Sequence, residues 1–503
     1  MVVYALPRGM NSRTSLVWLS SVLLVLMPLL AAESAETPSR PNIVLIIADD
    51  MGWEDCTPYG NKKIRTPNLE RLATEGMRFE NMILTCSSCS PSRSSLITSR
   101  YPHNTGAEQL HWPLPKDQMT FVEQLRKGGY WTAAAGKWHL GNAVRDRFDV
   151  IHDVGTAGFQ LPTNPEKTEV KPIVPPDPNP SGAEAWVATL KERPKDKPFF
   201  LWLAAVDPHR DYAEKILLEP HKPEDVTVPP YLPDNAETRK DLAMYYDEIC
   251  RLDTNIGKVL DEINLQGLVK NTVVIFMTDN GRPFPRCKTT LYDSGIKSPF
   301  IIRWPDNVRT ESISPSLLSS VDIAPTILEI AGLEVPAQFQ GTSFRTVLAR
   351  PETRVRTAAF SEHNWHDFEA RSRSVRTERF KYIRNEYSDL ANTPPADAVR
   401  SPTYQSMRKL RDAGRLRDEQ QTCFTKPLPK EELYDLQADP QELNNLAADP
   451  KFSKELAELR GALDVWKTQT HDDTPAARTP DEFDRETGEP LPGRKRPRLP
   501  PPK

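Results

Sequence analysis

The sequence predicts an α/β fold: a large, mostly parallel sheet sandwiched by helices, followed by a smaller C-terminal α+β unit. Three observations predict it. The apolar runs NIVLIIADD (42–50), YWTAAAGK (130–137), PFFLWLAAVDPH (198–209) and NTVVIFMTDNG (271–281) lack the polar alternation of a half-exposed strand, as expected of strands buried on both faces. Helix patterns lie between them, the alternation that builds a parallel sheet. Each run also stops on ionisable or amide residues, at the strand ends where such sheets gather ligands.

The elements follow in order. Arg8 and Arg13 precede an apolar run over 16–32, and Ala32, Ser34 and Ala35 follow before Pro41. This is the pattern of an export signal over 1–35, and Pro28 with the small-residue exit favours cleavage over a retained anchor. No later stretch has the ~20 apolar residues needed to span a bilayer, so no membrane association is expected after cleavage. A helix opens at Thr66 as N-cap, with Pro67 in its first turn and Gly76 past its end. Another opens at Thr120 with a capping box to Glu123 and closes at Gly128 and Gly129. Residues 161–180 are proline-rich and read as a surface loop. A long amphipathic helix covers 237–263, with Leu242, Tyr245, Tyr246, Ile249, Leu252, Ile256 and Leu260 on one stripe. SPSLLSSVDIAPTILEIAGL continues the core to Gly332.

Beyond residue 350, SRSVRTERFKYIRNEY reads as two short strands, ELYDL as another, and 449–466 as an amphipathic helix. The expected organisation is a catalytic domain over 41–350 and an α+β subdomain over 351–470. Residues 471–503, ending in LPGRKRPRLPPPK, read as a disordered tail.

The 65 basic and 69 acidic residues leave a net charge of -4, which gives no global attraction to nucleic acid, so an anionic ligand must be met by a local site. Six scattered cysteines exclude a disulfide-framework protein. The chain has no Asn-x-Ser/Thr acceptor, which favours a bacterial periplasmic or extracellular enzyme over a secreted or lysosomal eukaryotic one.

The chemistry converges at the strand ends: Asp49 and Asp50, Lys137 and His139, His209, Asp279 and Asn280. Carboxylates clustered there repel one another unless neutralised, and an oxygen-rich set suits a hard divalent cation, Ca²⁺ or Mg²⁺. Zinc is disfavoured because no Cys/His ligand spacing accompanies them. Cys86 and Cys89 form a Cys-x-x-Cys pair, but no second pair makes a zinc clamp and the position does not fit a redox motif. Pro91 instead marks the first turn of a helix with Cys89 at its positive end and Arg93 one turn on, a place for a nucleophile attacking an anionic ester.

CSPSRSSLITSRYPHN (89–104) resembles the signature of the formylglycine-dependent type I sulfatases, within the alkaline-phosphatase-like superfamily. The resemblance runs from about 41 to 466 and includes ELYDLQADPQELNNLA (432–447). SSCSPSR, DPHR and DNGRPFPRCKTTLY are most similar to the sulfamidase (heparan N-sulfatase) branch. One departure is Ser99, where the family usually has glycine.

The resemblance implies that a maturation enzyme converts Cys89 to formylglycine, and that Asp49, Asp50, Asp279, Asn280 and the modified Cys89 hold Ca²⁺ or Mg²⁺. It implies that Arg93 and Lys137 steady the nucleophile, that His139 assists breakdown of the sulfated hemiacetal, and that His209 and Lys288 bind sulfate and help the leaving group. Arg210, His363, His366 and Asp367 are candidates for sugar recognition. The implied substrate is a sulfated carbohydrate bearing an N-sulfate. An O-sulfate, a phosphate or phosphonate ester, and a non-catalytic glycan-binding role are the alternatives.

Overall fold

The computed structural model of the chain describes residues 40–154 and 179–493. The expected export signal at 1–35, most of the loop at 161–180, and residues 494–503 of the tail lie outside the described residues. The main sheet has nine strands among those described: β1 Asn42–Ala48, β2 Met77–Ile83, β3 Trp131–Gly136, β4 Val150–Asp153, β5 Phe199–Ala204, β6 Thr272–Thr278, β7 Lys297–Ser298, β8 Ile301–Arg303 and β9 Ser312–Ser319. They run in the order β4-β3-β5-β1-β6-β8-β2-β7, with β9 on β2. The stretch from β4 to β6 is parallel throughout, β8 pairs antiparallel with β6 and β2, β7 pairs antiparallel with β2, and β9 joins β2 in parallel.

The unbroken apolar runs have a direct cause. In β1, Ile43, Leu45 and Ile47 enter one core while Val44, Ile46 and Ala48 enter another on the opposite face. Helices cover the two faces, among them α1 Pro67–Thr74, α2 Cys89–Thr98, α3 Phe121–Lys127, α4 Ala236–Leu265 and α5 Ile323–Ile330. Leu96, Phe121 and Ile327 of α2, α3 and α5 fill the first core. Leu69 and Leu72 of α1 and the predicted stripe of α4 fill the second. Both faces are thus dry, and ligands are left the strand ends.

A second sheet follows, with β10 Ala359–His363, β11 Ser372–Arg376, β12 Phe380–Asn385 and β13 Glu431–Asp435 pairing antiparallel in that order. Within it the short helix α6 Ala396–Val399 lies in the connection from β12 to β13, and after it α7 Ser453–Thr470 closes the unit. Leu459, Leu463 and Trp466 of α7 pack on Val375, Tyr382 and Leu433.

Three expectations need correction. Thr66 precedes α1 but does not cap it, because its hydroxyl accepts from the Thr57 amide at 2.9 Å. The free amides of Asn68 and Leu69 are met instead by Asp253 of α4, at 3.0 and 2.8 Å. The closing helix starts four residues later than read, at Ser453. The tail is folded as far as it is described: Asp472 pairs with Arg371 and Arg373, Trp365 Nε1 donates to the Pro480 carbonyl at 3.1 Å, and Arg485 pairs with Asp481.

Ser99 ends α2 in the left-handed region, at φ 52°, where glycine carries no Cβ penalty. Its Oγ donates to the Val321 carbonyl at 2.6 Å and accepts from the Gly341 amide at 3.2 Å. Ser99→Gly relieves ~1 kcal/mol of backbone cost but deprives the buried Val321 carbonyl and the half-buried Gly341 amide of a partner, at roughly 1–3 kcal/mol. The expected net result is a lower midpoint of urea unfolding; a raised midpoint would show that backbone relief outweighs the hydroxyl.

Candidate active site

The carboxyl ends of β3, β5, β1 and β6 lie side by side, so the loops leaving them join distant residues, Asp50 and Asn280 being 230 positions apart. Asp50 turns back with φ 67°. Its amide donates to Asp279 Oδ1 at 3.3 Å, and the Met51 amide to Thr278 Oγ1 at 3.1 Å, which ties the turn after β1 to the end of β6. Asn280 Nδ2 donates to Asp50 Oδ1 at 2.6 Å.

Cys89 is the first residue of α2, and its Sγ donates to Asp50 Oδ1 at 3.6 Å. Arg93, one turn on and fully buried, donates from Nε to Asp279 Oδ2 at 2.8 Å and from Nη1 to the Lys137 carbonyl at 3.0 Å. Lys137 Nζ pairs with Asp49. Lys288 Nζ pairs with Asp50 Oδ2 at 2.7 Å.

Burial dominates the proton equilibria. It pushes the Cys89 thiol well above its ordinary range, despite Lys137 and Lys288 nearby. Burial opposes the charge of Asp49 too, but Lys137 beside it holds that carboxyl below the usual value. Burial, with Asp49 alongside, raises Asp279. His139 is driven well below its ordinary range by burial, then by Lys137 and His111, and its Nε2 shares a 2.7 Å hydrogen bond with His111 Nδ1. His209 bonds the Arg210 carbonyl through Nδ1, which turns Nε2 toward Asp50 Oδ2 at 3.7 Å and Asp397 Oδ2 at 3.8 Å.

The donor set fits a hard cation. Asp49 Oδ1 and Asn280 Oδ1 are buried and have no hydrogen-bond partner among the described residues. Ligand atoms of Asp49, Cys89 and Asp279, and those of Asp50, Cys89 and His209, form two groups, each within 4.8 Å. Buried oxygens without donors are costly, and Ca²⁺ or Mg²⁺ is what oxygen ligands of this kind satisfy.

A cavity of about 480 Å³ opens over this centre. Its lining includes the sequence-derived Asp49, Cys89, Lys137, His139, His209 and Lys288, together with Arg210, His366 and Asp367. Asp50, His111, His139 and Asp367, in or beside it, all have positive φ, and such backbone cost persists where surrounding structure over-determines it, often at functional sites.

The sugar-recognition set fares unevenly. His366 lines the cavity and bonds Ser88 Oγ through Nδ1 at 2.7 Å. Asp367 accepts from the Ala396 amide at 3.0 Å, and burial raises its carboxyl to about 6. Arg210 lines the cavity, but its guanidinium is committed to the wall: Nη1 and Nη2 grip Asp241 at 2.7 and 2.8 Å, Nε donates to the Pro283 carbonyl, and the group stacks on Tyr212 and Phe284. It shapes the cavity rather than reaching into it. His363 is not part of the lining; it is buried at the end of β10, where burial takes its ring to about 3.

Sequence reasoning missed several lining residues: His111, Asp207 with Arg251 and Glu248, Asp397, Arg400 and Phe483. Asp207 stood at a recognised strand end and was a legible signal. Glu248 and Arg251 lie on the predicted long helix but off its apolar stripe, and His111, Asp397, Arg400 and Phe483 lie outside any strand end or periodic pattern.

A nucleophile position at a helix start, cationic side chains and an oxygen cradle at the carboxyl edge of an α/β sheet define a hydrolase of anionic esters. A family profile described as Sulfatase matches residues 41–333, and one described as N-sulphoglucosamine sulphohydrolase, C-terminal, matches 286–402. The chain is 30% identical to an ulvan-active sulfatase of Formosa agariphila over 88% of this chain and 77% of that one. It is also 30% identical to the human N-sulphoglucosamine sulphohydrolase, over 86% of this chain and 91% of that one. Among solved structures, one in complex with its substrate D-glucosamine-2-N,6-O-disulfate superposes with a TM-score of 0.65 at 22% identity, covering 87% of this chain and 99% of that one. The chain belongs to the sulfatase family, in its sulfamidase branch, and is a hydrolase of sulfate esters or sulfamates. No described helix is long and apolar enough to cross a membrane.

Proposed function

We propose that the protein removes the N-sulfate of an N-sulfoglucosamine residue, with Cys89 converted to formylglycine by a maturation enzyme and a divalent cation, Ca²⁺ or Mg²⁺, held by Asp49, Asp50, Asp279 and Asn280. The observation that carries the substrate is the reach of the branch-specific match: residues 286–402 include Lys288, His366, Asp367 and Asp397, all in the cavity lining. The similarity thus extends to the wall a sugar would touch. The cation and the aldehyde hydrate together supply an oxygen nucleophile and draw charge from the sulfuryl oxygens.

The chain's own residues do the rest. Arg93 and Lys137 offset the negative charge of the cradle and of an oxygen at position 89. Lys288, buried beside Asp50, puts an ammonium where a sulfuryl oxygen would lie. His209, with Nδ1 fixed on the Arg210 carbonyl, presents Nε2 to the leaving atom and delivers its proton. His139, held neutral by burial and backed by His111, accepts a proton when sulfate is released. Export to a bacterial periplasm or medium rests on the segment at 1–35, and the catalytic and C-terminal parts meet near residue 350.

The O-sulfate reading is favoured by the equal identity to the ulvan-active sulfatase. Sulfate release from N-sulfoglucosamine, glucosamine 6-O-sulfate and a 2-O-sulfated uronate separates the two. The N-sulfate is expected to lead in kcat/KM by ~100-fold, near 3 kcal/mol of transition-state discrimination. An O-sulfated sugar in the lead overturns the N-sulfate reading, and a faster aryl phosphate than aryl sulfate would assign the site to phosphoryl chemistry.

A further inference from the structure

Asp397 stands opposite the metal cradle, on α6, and no part of the mechanism above uses it. Its Oδ1 accepts from the Ala398 amide at 2.7 Å, which fixes the carboxylate. Its Oδ2 lies 3.8 Å from His209 Nε2, and the side chain is 16% exposed, into the cavity. Burial opposes its charge, but Lys288, His209 and Arg210 keep it ionised, with the carboxyl lowered to about 2.

Two cations of the same wall are already paired with carboxylates. Arg210 is gripped by Asp241. Arg251 Nη2 is bound by Asp207 and Glu248, both at 2.6 Å. Arg400 keeps its charge, but its guanidinium is held to the wall, Nη1 donating to the Gly488 carbonyl at 2.7 Å and the group lying 5.9 Å from the centre of the Phe483 ring. Beyond the sulfate end, then, the wall presents a carboxylate beside the imidazole that faces the leaving atom. A uronate there meets like charge; an amino sugar meets its complement.

We propose that Asp397 is a specificity-determining residue that reads the nitrogen of the leaving group, favouring a sulfamate, whose product is an amine, over a sulfate ester, whose product is a hydroxyl. The proposal rests on the N-sulfate reading above. In the transfer, the S–N bond breaks as sulfur bonds to the oxygen at position 89. The electron pair stays on nitrogen, and the proton from His209 Nε2 completes the amine. Asp397 Oδ2 accepts a charge-assisted hydrogen bond from the nitrogen as it gains that proton in the transition state, and keeps it when a further proton from solvent gives the ammonium. A hydroxyl product carries no charge, so the same carboxylate favours it far less.

The test is Asp397→Asn, which keeps shape and removes charge. Its kcat/KM for N-sulfoglucosamine is expected to fall ~30-fold more than for an aryl sulfate, the scale of a hydrogen bond to a charged group. Calorimetric binding of glucosamine and of glucose gives a second readout that needs no turnover and no cysteine conversion. The wild type is expected to favour glucosamine at least ~10-fold, and Asp397→Asn to bind both alike. An equal fall on both substrates overturns the proposal, since Asp397 would then merely support His209; a glucosamine preference kept by the variant overturns it as well. Wild-type protein that releases no sulfate from N-sulfoglucosamine defeats the N-sulfate reading instead, while the binding comparison still reports on Asp397 alone.

Discussion

Cys89→Ala is expected to suppress sulfate release by roughly 10⁵-fold or more, the scale seen when a nucleophile is deleted from a site whose other members remain. As a thiol, Cys89 is a poor candidate for the chemistry: it is 2% exposed, and burial holds its proton well above the ordinary thiol range. Thiolate is therefore scarce at neutral pH. Its surroundings suit the oxygen nucleophile proposed above, with Asp50 Oδ1 at 3.6 Å and Arg93, Lys137 and Lys288 within the same cluster of charges. The substitution deletes one sulfur from a buried position and leaves every salt bridge of the cradle in place, so the melting temperature should move by a few degrees at most. Loss of activity with an intact melt locates the defect in chemistry. Peptide mass spectrometry of the active wild type supplies the complement: an unmodified cysteine at position 89 in fully active protein would defeat the formylglycine mechanism.

The centre of this site was legible in the sequence because parallel sheets turn chain order into geometry. Asp49, Lys137 and Asp279 directly follow β1, β3 and β6, so topology alone juxtaposed them once the strands were neighbours. His209 lies five residues past the end of β5, in a turn closed by its amide on the Val206 carbonyl. The wall was less legible. Arg210 sat in a recognisable stretch, but the partner that occupies it, Asp241, lies 31 residues away on α4. His363 stood three residues from His366, yet one ring is buried apart from the cavity and the other lines it. Asp397 sits on a four-residue helix, too short for periodicity to mark. The stretch 471–493 has the composition of a solvated tail; its order comes from partners remote in sequence, such as Arg373 with Asp472, 99 positions apart. Composition reports what a segment needs by itself, not what a distant guanidinium provides.

Exhaustive chelation is expected to abolish turnover, and readdition of Ca²⁺ to restore it. The argument starts from the balance of charge. Asp49, Asp50 and Asp279 are at most 1% exposed, and Lys137, Lys288 and Arg93 face them one to one. The chelated fold should therefore survive, because no carboxylate is left without a cation. It loses the mass-action term of a bound ion, ~4 kcal/mol when free cation stands a thousandfold above Kd, so unfolding should shift to lower denaturant. Catalysis has no such substitute: ammonium groups already paired to the cradle would not supply the Lewis acidity that a cation held by Asp49, Asp50, Asp279 and Asn280 would supply. Asp279→Asn separates the two roles. It removes an oxygen ligand and leaves Arg93 Nε, now 2.8 Å from Asp279 Oδ2, without its counter-charge in a buried position, a loss of about 3–5 kcal/mol. That variant should be inactive with or without added Ca²⁺, and its stability should no longer respond to the cation. Full activity in protein whose metal content, measured by mass spectrometry, is far below one ion per chain would overturn the assignment of the cradle as a cation site.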